Sequence, residues 1–185
     1  MSTLGFAAKT SDGTKDFVVS EHAAPFIGSQ VYQPSASSSD YIESVSKLSS
    51  NHADASWVVN SSVRAVIYEY DTDHTLNVVS YQNDPDLGDL VYKSGITTGE
   101  TGGYVTAIGS TRYDSGVGRT LDNQCIAHLN CDYGDSGSPV YYRLATPNSA
   151  KIVGIFWGKD STGTYGTFSP VSGIHNDLGV YPLTQ

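Results

Sequence analysis

Short strand-like runs separated by turn signals recur along nearly all of the 185 residues. Apolar and β-branched runs of roughly four to eight residues, bounded by Gly, Pro, Asn, Asp and Ser, are typical of β-sandwiches and β-barrels. The pattern predicts strands at 3–10, 16–20, 56–59, 63–70, 77–81, 90–93, 103–110, 139–143 and 152–157. Turn signals lie between them at 11–13, 71–73, 83–86, 98–100 and 160–163. The sequence therefore predicts an all-β fold.

Helical architectures are disfavoured by the residues that would cover their surface. The chain has 25 Ser and 16 Thr but only 6 Lys and 4 Glu. Lys and Glu favour exposed helix positions, whereas hydroxyl side chains compete with helical hydrogen bonds. One short helix is still predicted at about 169–179, because Ser169 and Pro170 suit its first turn and Gly179 suits its end.

The net charge excludes two classes of partner. The 19 acidic and 10 basic residues give a formal charge of −9. Nucleic acids and anionic membrane surfaces both require a basic surface on a protein that binds them. The sequence also has no apolar stretch approaching the roughly 20 residues of a membrane-spanning helix. We therefore expect neither a nucleic-acid partner nor a membrane partner.

Three further features concern compartment, cross-links and cofactors. Residues 1–5 lack the basic and apolar regions of a signal peptide, so we expect either an intracellular protein or a mature extracellular domain with an added start Met. The two cysteines, Cys125 and Cys131, are too few for a disulfide framework. The sequence has no HExxH or CxxC spacing, so neither a metal site nor a cofactor is expected.

The segment Gly134-Asp135-Ser136-Gly137 carries the strongest chemical signal in the chain. A nucleophilic serine needs a tight turn that presents its oxygen and aims backbone N–H groups at the oxyanion formed on attack. Glycine permits the backbone conformations that such a turn requires. The same four residues also suit a plain β-turn, so the segment by itself leaves both interpretations open.

A nucleophilic serine also requires a general base, and the sequence offers five histidines. His22 follows the apolar run 17–19 through a short polar turn and precedes small residues. His52 lies beside Asp54, an acid that precedes the apolar run 56–59. The other histidines lie in polar surroundings and are expected on the surface: His74, His128 and His175. For each histidine taken alone, a structural role is the alternative.

Four blocks in this order resemble the chymotrypsin-fold serine endopeptidases, and in particular their small bacterial branch of streptogrisins and α-lytic protease. They are a first strand and histidine turn at 4–6 and 17–22, an aspartate block at 54–58, the start of a second barrel at 91–99 and 103–108, and a serine block, pocket wall and closing helix at 131–140, 152–158 and 168–180. The resemblance implies two six-stranded antiparallel Greek-key β-barrels in one protease domain, at about 1–86 and 87–168. A short C-terminal helix would follow, and the active site would lie in the cleft between the barrels.

The resemblance also implies roles for individual residues. Ser136 would be the nucleophile of a serine endopeptidase, and His22 would act first as general base and then as general acid. Asp54 would orient the imidazole, and the backbone N–H groups of Gly134 and Ser136 would form the oxyanion hole. The family's character implies a peptide or protein substrate, an acyl-enzyme intermediate, a monomer, and an extracellular mature domain.

The acid next to the serine leads to one specific prediction. In the bacterial branch of the family an Arg pairs with this acid, and here Lys93 stands in the corresponding place. We therefore predict a buried ion pair between Lys93 and Asp135.

The sequence departs from the family at its cysteines. Ala23, Tyr92 and Gly102 stand where relatives have Cys, and Cys131 has no Cys near 159–166 to pair with. Each absent disulfide forgoes about 2–4 kcal/mol of stabilisation. Cys125 and Cys131 could bond to each other or remain free, and we favour free thiols.

By resemblance, eight residues wall the pocket for the residue before the scissile bond: Leu129, Asn130, Cys131, Asp132, Tyr133, Phe156, Trp157 and Gly158. A trypsin-like preference needs an acid at the pocket base, but Leu129 or Asn130 falls there. We therefore predict a preference for an uncharged apolar or aromatic residue. Phe156 replaces a Ser common in the family and would narrow the pocket, although Phe156 and Trp157 could equally be core residues.

Several other functions remain open at this point. The chain could be a catalytically silent peptide-binding module, or it could use the same triad as a glutamyl-type endopeptidase or an esterase. A metal site built from His22, His52, Asp54 and His128 is a further alternative, although no ligand spacing supports it.

Overall fold

The computed structural model describes residues 1–71 and 73–185. Fifteen strands and one α-helix make up its regular structure, with 3₁₀ turns at Glu21–Ala23 and Ser38–Asp40. The elements are β1 (Ala7–Thr10), β2 (Lys15–Val19), β3 (Gln30–Tyr32), β4 (Tyr41–Ser44), β5 (Lys47–Leu48), β6 (Ser56–Val59), β7 (Val66–Tyr68), β8 (Thr75–Tyr81), β9 (Leu90–Gly95), β10 (Gly99–Asp114), β11 (Arg119–His128), β12 (Pro139–Arg143), β13 (Ser149–Lys159), β14 (Tyr165–Pro170), α1 (Val171–Leu178) and β15 (Val180–Pro182). The turn predicted at 71–73 includes residue 72, which lies outside the described residues.

The second half of the chain forms a closed ring of six antiparallel strands in the order β12-β9-β10-β11-β14-β13. Pairing between β12 and β13 closes the ring. Its interior is filled by apolar side chains: Val91, Val105, Cys125, Ala127, Leu129, Cys131, Val140, Val153, Phe156 and Phe168. The predicted all-β class is confirmed.

The β10–β11 hairpin extends beyond the ring. β10 pairs with β9 only as far as Tyr104, and β11 pairs with β14 only from Cys125 onward. Between these points the two strands pair with each other alone, up to the last pair, Asp114 with Arg119. The hairpin tip is therefore free to contact the first half of the molecule.

The first half is organised around a five-stranded sheet in the order β15-β1-β2-β6-β5. Its edge strand β15 (Val180–Pro182) pairs with β1 (Ala7–Thr10), so the sheet combines strands from opposite ends of the sequence. β8 pairs in parallel with β13 and thereby attaches the β7–β8 hairpin to the second half. The largest apolar cluster includes side chains from both halves, such as Val18, Leu76 and Ile155. The two halves therefore share a core.

The predicted C-terminal helix is confirmed as α1, which begins after Pro170 and ends at Gly179. Gly179 has a φ of 78°, the left-handed conformation that glycine adopts without strain at a helix end. Ser169 does not cap the helix, because Pro170 occupies the N-cap and makes no side-chain hydrogen bond. The Ser169 hydroxyl donates instead to Gln124 Oε1 at 2.8 Å. The described part of the chain has no helix with the length and apolarity that crossing a membrane requires.

The two thiols are free, and both are buried in the second half. Burial raises the pKa of Cys125 to about 12 and the pKa of Cys131 to about 11, so both are unreactive thiols near neutral pH. Tyr92 and Gly102 face each other across β9 and β10, and the tyrosine ring covers the glycine. At these two positions, which lack cysteines, the tyrosine ring packs on the glycine in place of a disulfide.

Candidate active site

His22 and Asp54 are brought together by two neighbouring strands. His22 lies in the 3₁₀ turn that follows β2, and Asp54 lies just before β6. These strands are antiparallel, with Val19 opposite Ser56, so the end of one meets the start of the other. His22 Nδ1 lies 2.5 Å from Asp54 Oδ2, and the His22 backbone N–H donates to Asp54 Oδ1 at 2.9 Å. The fully buried carboxylate therefore fixes both the ring and the backbone of the histidine.

The environment of His22 favours its protonated form. Burial alone would lower the pKa of His22, but the hydrogen bond and the charge of Asp54 outweigh it and raise the pKa above its usual value. The charges of Asp114 and Glu21 add to this increase. An imidazole that gains stability on protonation is suited to accept a proton.

Ser136 lies on the loop between β11 and β12, in a turn made possible by Gly134. Gly134 has a φ of 98°, and a Cβ there would stand 2.4 Å from Thr97 Oγ1. In the described part of the chain, neither the Gly134 nor the Ser136 backbone N–H donates a hydrogen bond. Their carbonyls do have partners, because Thr3 Oγ1 donates to Gly134 O at 2.9 Å and Thr3 N donates to Ser136 O at 2.8 Å. The loop is thus anchored while two N–H groups stay free.

Ser136 and His22 line one cleft with a volume of about 680 Å³. The Ser136 hydroxyl donates to the Trp157 carbonyl at 3.3 Å. Within the described residues no hydrogen bond joins the Ser136 and His22 side chains. Such contacts are often long or misaligned until a substrate closes the site, so this geometry is compatible with proton transfer between them.

A buried ion pair lies behind the serine. Lys93 Nζ lies 3.0 Å from Asp135 Oδ2, and both side chains are fully buried. Asp135 also accepts hydrogen bonds from Thr97 N, Thr98 N and Oγ1, and Asp132 N. Burial alone would raise the pKa of Asp135, but these hydrogen bonds and the Lys93 charge lower it below its usual value. The acid beside Ser136 is therefore ionised and fully satisfied.

The structure adds supporting residues that the sequence analysis did not identify. Ser20 Oγ donates to Asp54 Oδ2 at 2.7 Å and lies 2.8 Å from His22 Nδ1. Ser169 Oγ accepts a hydrogen bond from Asp54 N at 3.0 Å. The sequence signal for Ser20 was its position after an apolar strand and two residues before His22. Ser169 was predicted to cap the helix, and that prediction was wrong.

Gln124 connects the aspartate to the wall of the cleft. Its side chain is fully buried. Its Oε1 accepts hydrogen bonds from Trp157 Nε1 and Ser169 Oγ, each at 2.8 Å. Its Nε2 donates to the carbonyl of His52 at 2.9 Å. Gln124 therefore links the Trp157 side chain to the residues that hold Asp54.

The hairpin tip holds the histidine turn from the opposite side. Arg119 donates two hydrogen bonds of 2.7 Å to the carboxylate of Glu21, the residue before His22.

Helix α1 holds the segment before Asp54. Asp177 of α1 accepts hydrogen bonds from Ser50 and from the backbone and ring of His52. The segment that leads to Asp54 is thus also fixed by the second half.

The residues predicted to wall the substrate pocket divide into two groups. Five of them line the cleft: Asp132, Tyr133, Phe156, Trp157 and Gly158. Cys131 is buried in the interior of the ring instead. Leu129 lies outside the cleft lining, buried in the interior of the ring, and Asn130 is exposed outside it. At the rim, Lys159 lies 3.5 Å from Asp132 and over the Tyr133 ring.

One group of three side chains deserves comparison with a metal centre. His22, Asp54 and Asp114 have candidate ligand atoms within 4.8 Å of one another. Both oxygens of Asp54 already accept hydrogen bonds from His22 and Ser20, so the group lacks a free ligand set around a cation. The histidines of the alternative metal site are dispersed, with His52 paired to Asp177 and His128 packed on Tyr165.

Comparison with solved structures identifies the fold. The chain is similar to Protease A of Thermobifida fusca, with 22% identity over 100% of this chain and 92% of that chain and a TM-score of 0.77. It is similar to a glutamic-acid-specific serine protease that uses a histidine triad in substrate binding, with 24% identity, 98% and 93% coverage and a TM-score of 0.77. An α-lytic protease homologue, N4, has 19% identity, 97% and 91% coverage and a TM-score of 0.75. No protein-family model and no curated protein matches the sequence. The predicted chymotrypsin-type fold is confirmed.

Proposed function

We propose that this chain, with the fold of the chymotrypsin-like serine proteases, is a serine endopeptidase. Ser136 attacks the scissile carbonyl, and its proton passes to His22, whose imidazolium Asp54 stabilises. The backbone N–H groups of Gly134 and Ser136 bind the oxyanion. His22 then returns the proton to the leaving amine, and water resolves the acyl-enzyme through the same groups.

One observation carries this proposal. The loop that presents Ser136 leaves two backbone N–H groups without partners in the described residues, beside a histidine held by a buried aspartate. Gly134 and Ser136 are partly exposed, so both N–H groups are accessible to an acceptor that enters the cleft. Donors at a serine that shares a cleft with a His–Asp pair fit the oxyanion of acyl transfer.

The substrate preference that fits this cleft is an uncharged residue of small size. The Phe156 ring lies against Gly166, within 2.6 Å of where a Cβ would stand, and Leu129 adjoins the same point. Phe156 thus fills the space between strand β14 and the cleft floor. The uncharged preference expected from the sequence is retained, but a large aromatic side chain has less room than that expectation assumed.

The activity is tested with a fluorophosphonate probe and a peptide library. We expect the probe to label Ser136, and Ser136→Ala to abolish labelling and to lower peptide hydrolysis by roughly 10⁴-fold or more. Mass spectrometry of the cleavage products reports the preference. A folded wild-type protein that neither labels nor cleaves would refute the proposal.

The role of Phe156 is tested separately. Phe156→Val is expected to raise kcat/KM for peptides with Leu or Phe before the scissile bond, relative to Ala peptides, by at least about tenfold. Phe168→Val is the matched control, because Phe168 is equally buried in the same cluster but does not line the cleft. An unchanged ratio in Phe156→Val would exclude this source of size selection.

One observation favours a second function, that of a catalytically silent peptide-binding module. The Ser136 hydroxyl donates to the Trp157 carbonyl instead of contacting His22. If this geometry persisted with peptide bound, the chain would capture peptides without cleaving them. Peptide binding without probe labelling would identify that module, and an ester substrate assayed beside a peptide would detect an esterase.

A glutamyl-type preference has less support. The glutamate-specific relative uses a histidine triad for its substrate. Among the described residues that line the cleft, His22 is the one histidine. The other four contact Asp177, Asp71, Tyr165 and Tyr181. The described lining of the cleft therefore lacks a group of histidines like the one named for that relative.

A further inference from the structure

Asp114, the last residue of β10, is a buried carboxylate that the proposed mechanism does not use. Its side chain is 5% exposed. Oδ1 accepts a hydrogen bond from Gly116 N at 2.7 Å, whereas Oδ2 is buried and has no hydrogen-bond partner in the part of the chain described. A buried acid with an unsatisfied oxygen is costly, so its retention calls for a compensating interaction.

The group that offers such compensation is the imidazole of His22. Candidate ligand atoms of Asp114 and His22 lie within 4.8 Å of each other. Two further carboxylates face His22: Asp54 from the segment before β6, and Glu21 from its own turn. Glu21 is committed to Arg119 by two hydrogen bonds, and Asp54 has both oxygens occupied. Asp114 therefore holds the uncommitted oxygen of this group.

The position of Asp114 is set by two contacts of the hairpin tip. A Cβ on Gly116 would stand 2.6 Å from His22 Cβ, so the backbone of the tip lies directly against the histidine. Arg119, paired with Asp114 across the hairpin, is anchored on Glu21. The carboxylate is thus held beside the imidazole by the fold of the hairpin tip, to which the hydrogen bond from Gly116 N also belongs.

The electrostatics of the three groups depend on the charge of His22. With a neutral imidazole, Asp114 is buried near the negative Asp54, and burial followed by the Asp54 charge raises the pKa of Asp114. When His22 takes the proton of Ser136, a positive charge appears close to both acids. The interaction of Asp114 with its surroundings then changes from repulsive to attractive, which favours the charged state of the reaction over the resting state.

We propose that Asp114 is a second carboxylate of the active site, which stabilises the imidazolium of His22 together with Asp54. This inference rests on the proposed function. Asp114 neither receives a proton nor touches the substrate in this role. It acts through His22, because its negative charge stabilises the imidazolium, and it is therefore a positioning residue.

Two measurements on Asp114→Asn test the role, with Asp122→Asn as the matched control. Asp122 is an exposed carboxylate on the same hairpin. NMR titration of the imidazole is expected to show the His22 midpoint at lower pH in Asp114→Asn and unchanged in Asp122→Asn. We expect kcat/KM to fall about tenfold in Asp114→Asn, with the loss in kcat and the acid limb of the pH profile moved with the titration.

The outcomes separate this inference from the proposed function. An unchanged His22 midpoint in folded Asp114→Asn overturns the role of Asp114, whether or not the protein is active. An inactive wild type overturns the protease proposal. The NMR titration still decides, in that case, whether Asp114 interacts with the His22 imidazole. If Asp114→Asn does not fold, the wild-type ¹³C signal of the Asp114 carboxyl is followed instead. It should respond at the His22 midpoint, and a flat signal there would refute the coupling.

Discussion

The serine side and the histidine side of the cleft are held in different ways. Asp135, behind the serine, obtains its ion pair and its hydrogen bonds from residues of the second half, such as Lys93 and Thr98. The histidine side depends on residues from the other half of the molecule. Ser169 bonds to the backbone of Asp54, and Arg119 bonds to Glu21.

Because of this difference, substitutions on the two sides of the cleft are expected to have different effects on stability. A defect at the Lys93–Asp135 pair disturbs contacts that are made within the second half. A defect on the histidine side also weakens the contact between the halves, because the same hydrogen bonds serve both purposes. Substitutions on the two sides should therefore differ in how activity loss relates to stability loss.

The largest effect is expected on the serine side, from Lys93→Met. It leaves the Asp135 charge buried without its partner, which costs about 3–5 kcal/mol of unfolding free energy. Distortion of the Ser136 loop should lower kcat by roughly 10²–10³-fold, as for loss of an oxyanion donor. Urea unfolding and kinetics measure both, with the exposed Lys9→Met as control. Full activity and stability in Lys93→Met would contradict the assignment of this pair.

Asp16 provides a contrast to Asp135 within the first half. Asp16 is fully buried, and neither its oxygens nor the nearby Trp57 Nε1 makes a hydrogen bond in the described structure. Trp57 offsets only part of the effect of burial on the pKa of Asp16. Burial raises the pKa of Asp16 from 3.8 to about 6. The folded state therefore holds this proton more tightly than the unfolded state. The associated stability is present below pH 3.8 and is lost as the pH rises through about 6.

Asp16→Asn should remove this pH dependence. Relative to the wild type, the unfolding free energy of the variant is expected to be higher at pH 8 than at pH 4 by about 2 kcal/mol. Urea unfolding at both pH values measures it. A difference that does not vary with pH would mean that Asp16 finds a partner in solution.

The smallest of these effects is expected on the histidine side, from Arg119→Gln. Loss of the charged hydrogen bonds to Glu21 should cost about 2 kcal/mol, because the guanidinium remains partly exposed. Probe labelling of Ser136 should slow while the loop behind it stays intact. Arg112→Gln, an exposed arginine on the same hairpin, is the control. If Arg119→Gln lost stability but labelled at the wild-type rate, the hairpin would not position the histidine.

The nine strand segments predicted from the sequence each overlap an observed strand, but six observed strands were not predicted: β3, β4, β5, β11, β14 and β15. β2 and β6 have apolar residues in a strand pattern, so their ends, and the positions of His22 and Asp54, could be expected. β11 was missed because Asp122, Asn123 and Gln124 interrupt its apolar residues. Gln124 can be buried there because its amide forms hydrogen bonds with His52 and Trp157. These partners are distant in the sequence, so the residues around Gln124 could not predict its burial.

The supporting residues of the site were beyond sequence reasoning for a related reason. Arg119 and Glu21 are 98 residues apart, and Ser169 and Asp54 are 115 apart. Each pair is polar at both positions, and polar residues normally indicate a surface. Only the assembled fold places them together. The roles of His22, Asp54 and Ser136 came from the order of four motifs and remain predictions.

The pairing of β1 with β15 has a consequence for the timing of activity during synthesis. Lys9 lies opposite Tyr181, so the sheet containing β2 and β6 gains its edge strand only after residues up to about 182 have been made. Ribosomes extend a chain at about 5–20 residues per second, and contacts between such distant residues form late in folding. A nascent chain thus exposes the histidine–aspartate segment before its final support exists. On the proposed function, hydrolytic activity would begin only after residues up to 182 have been synthesised and paired with β1, which delays cleavage of the growing chain and its neighbours.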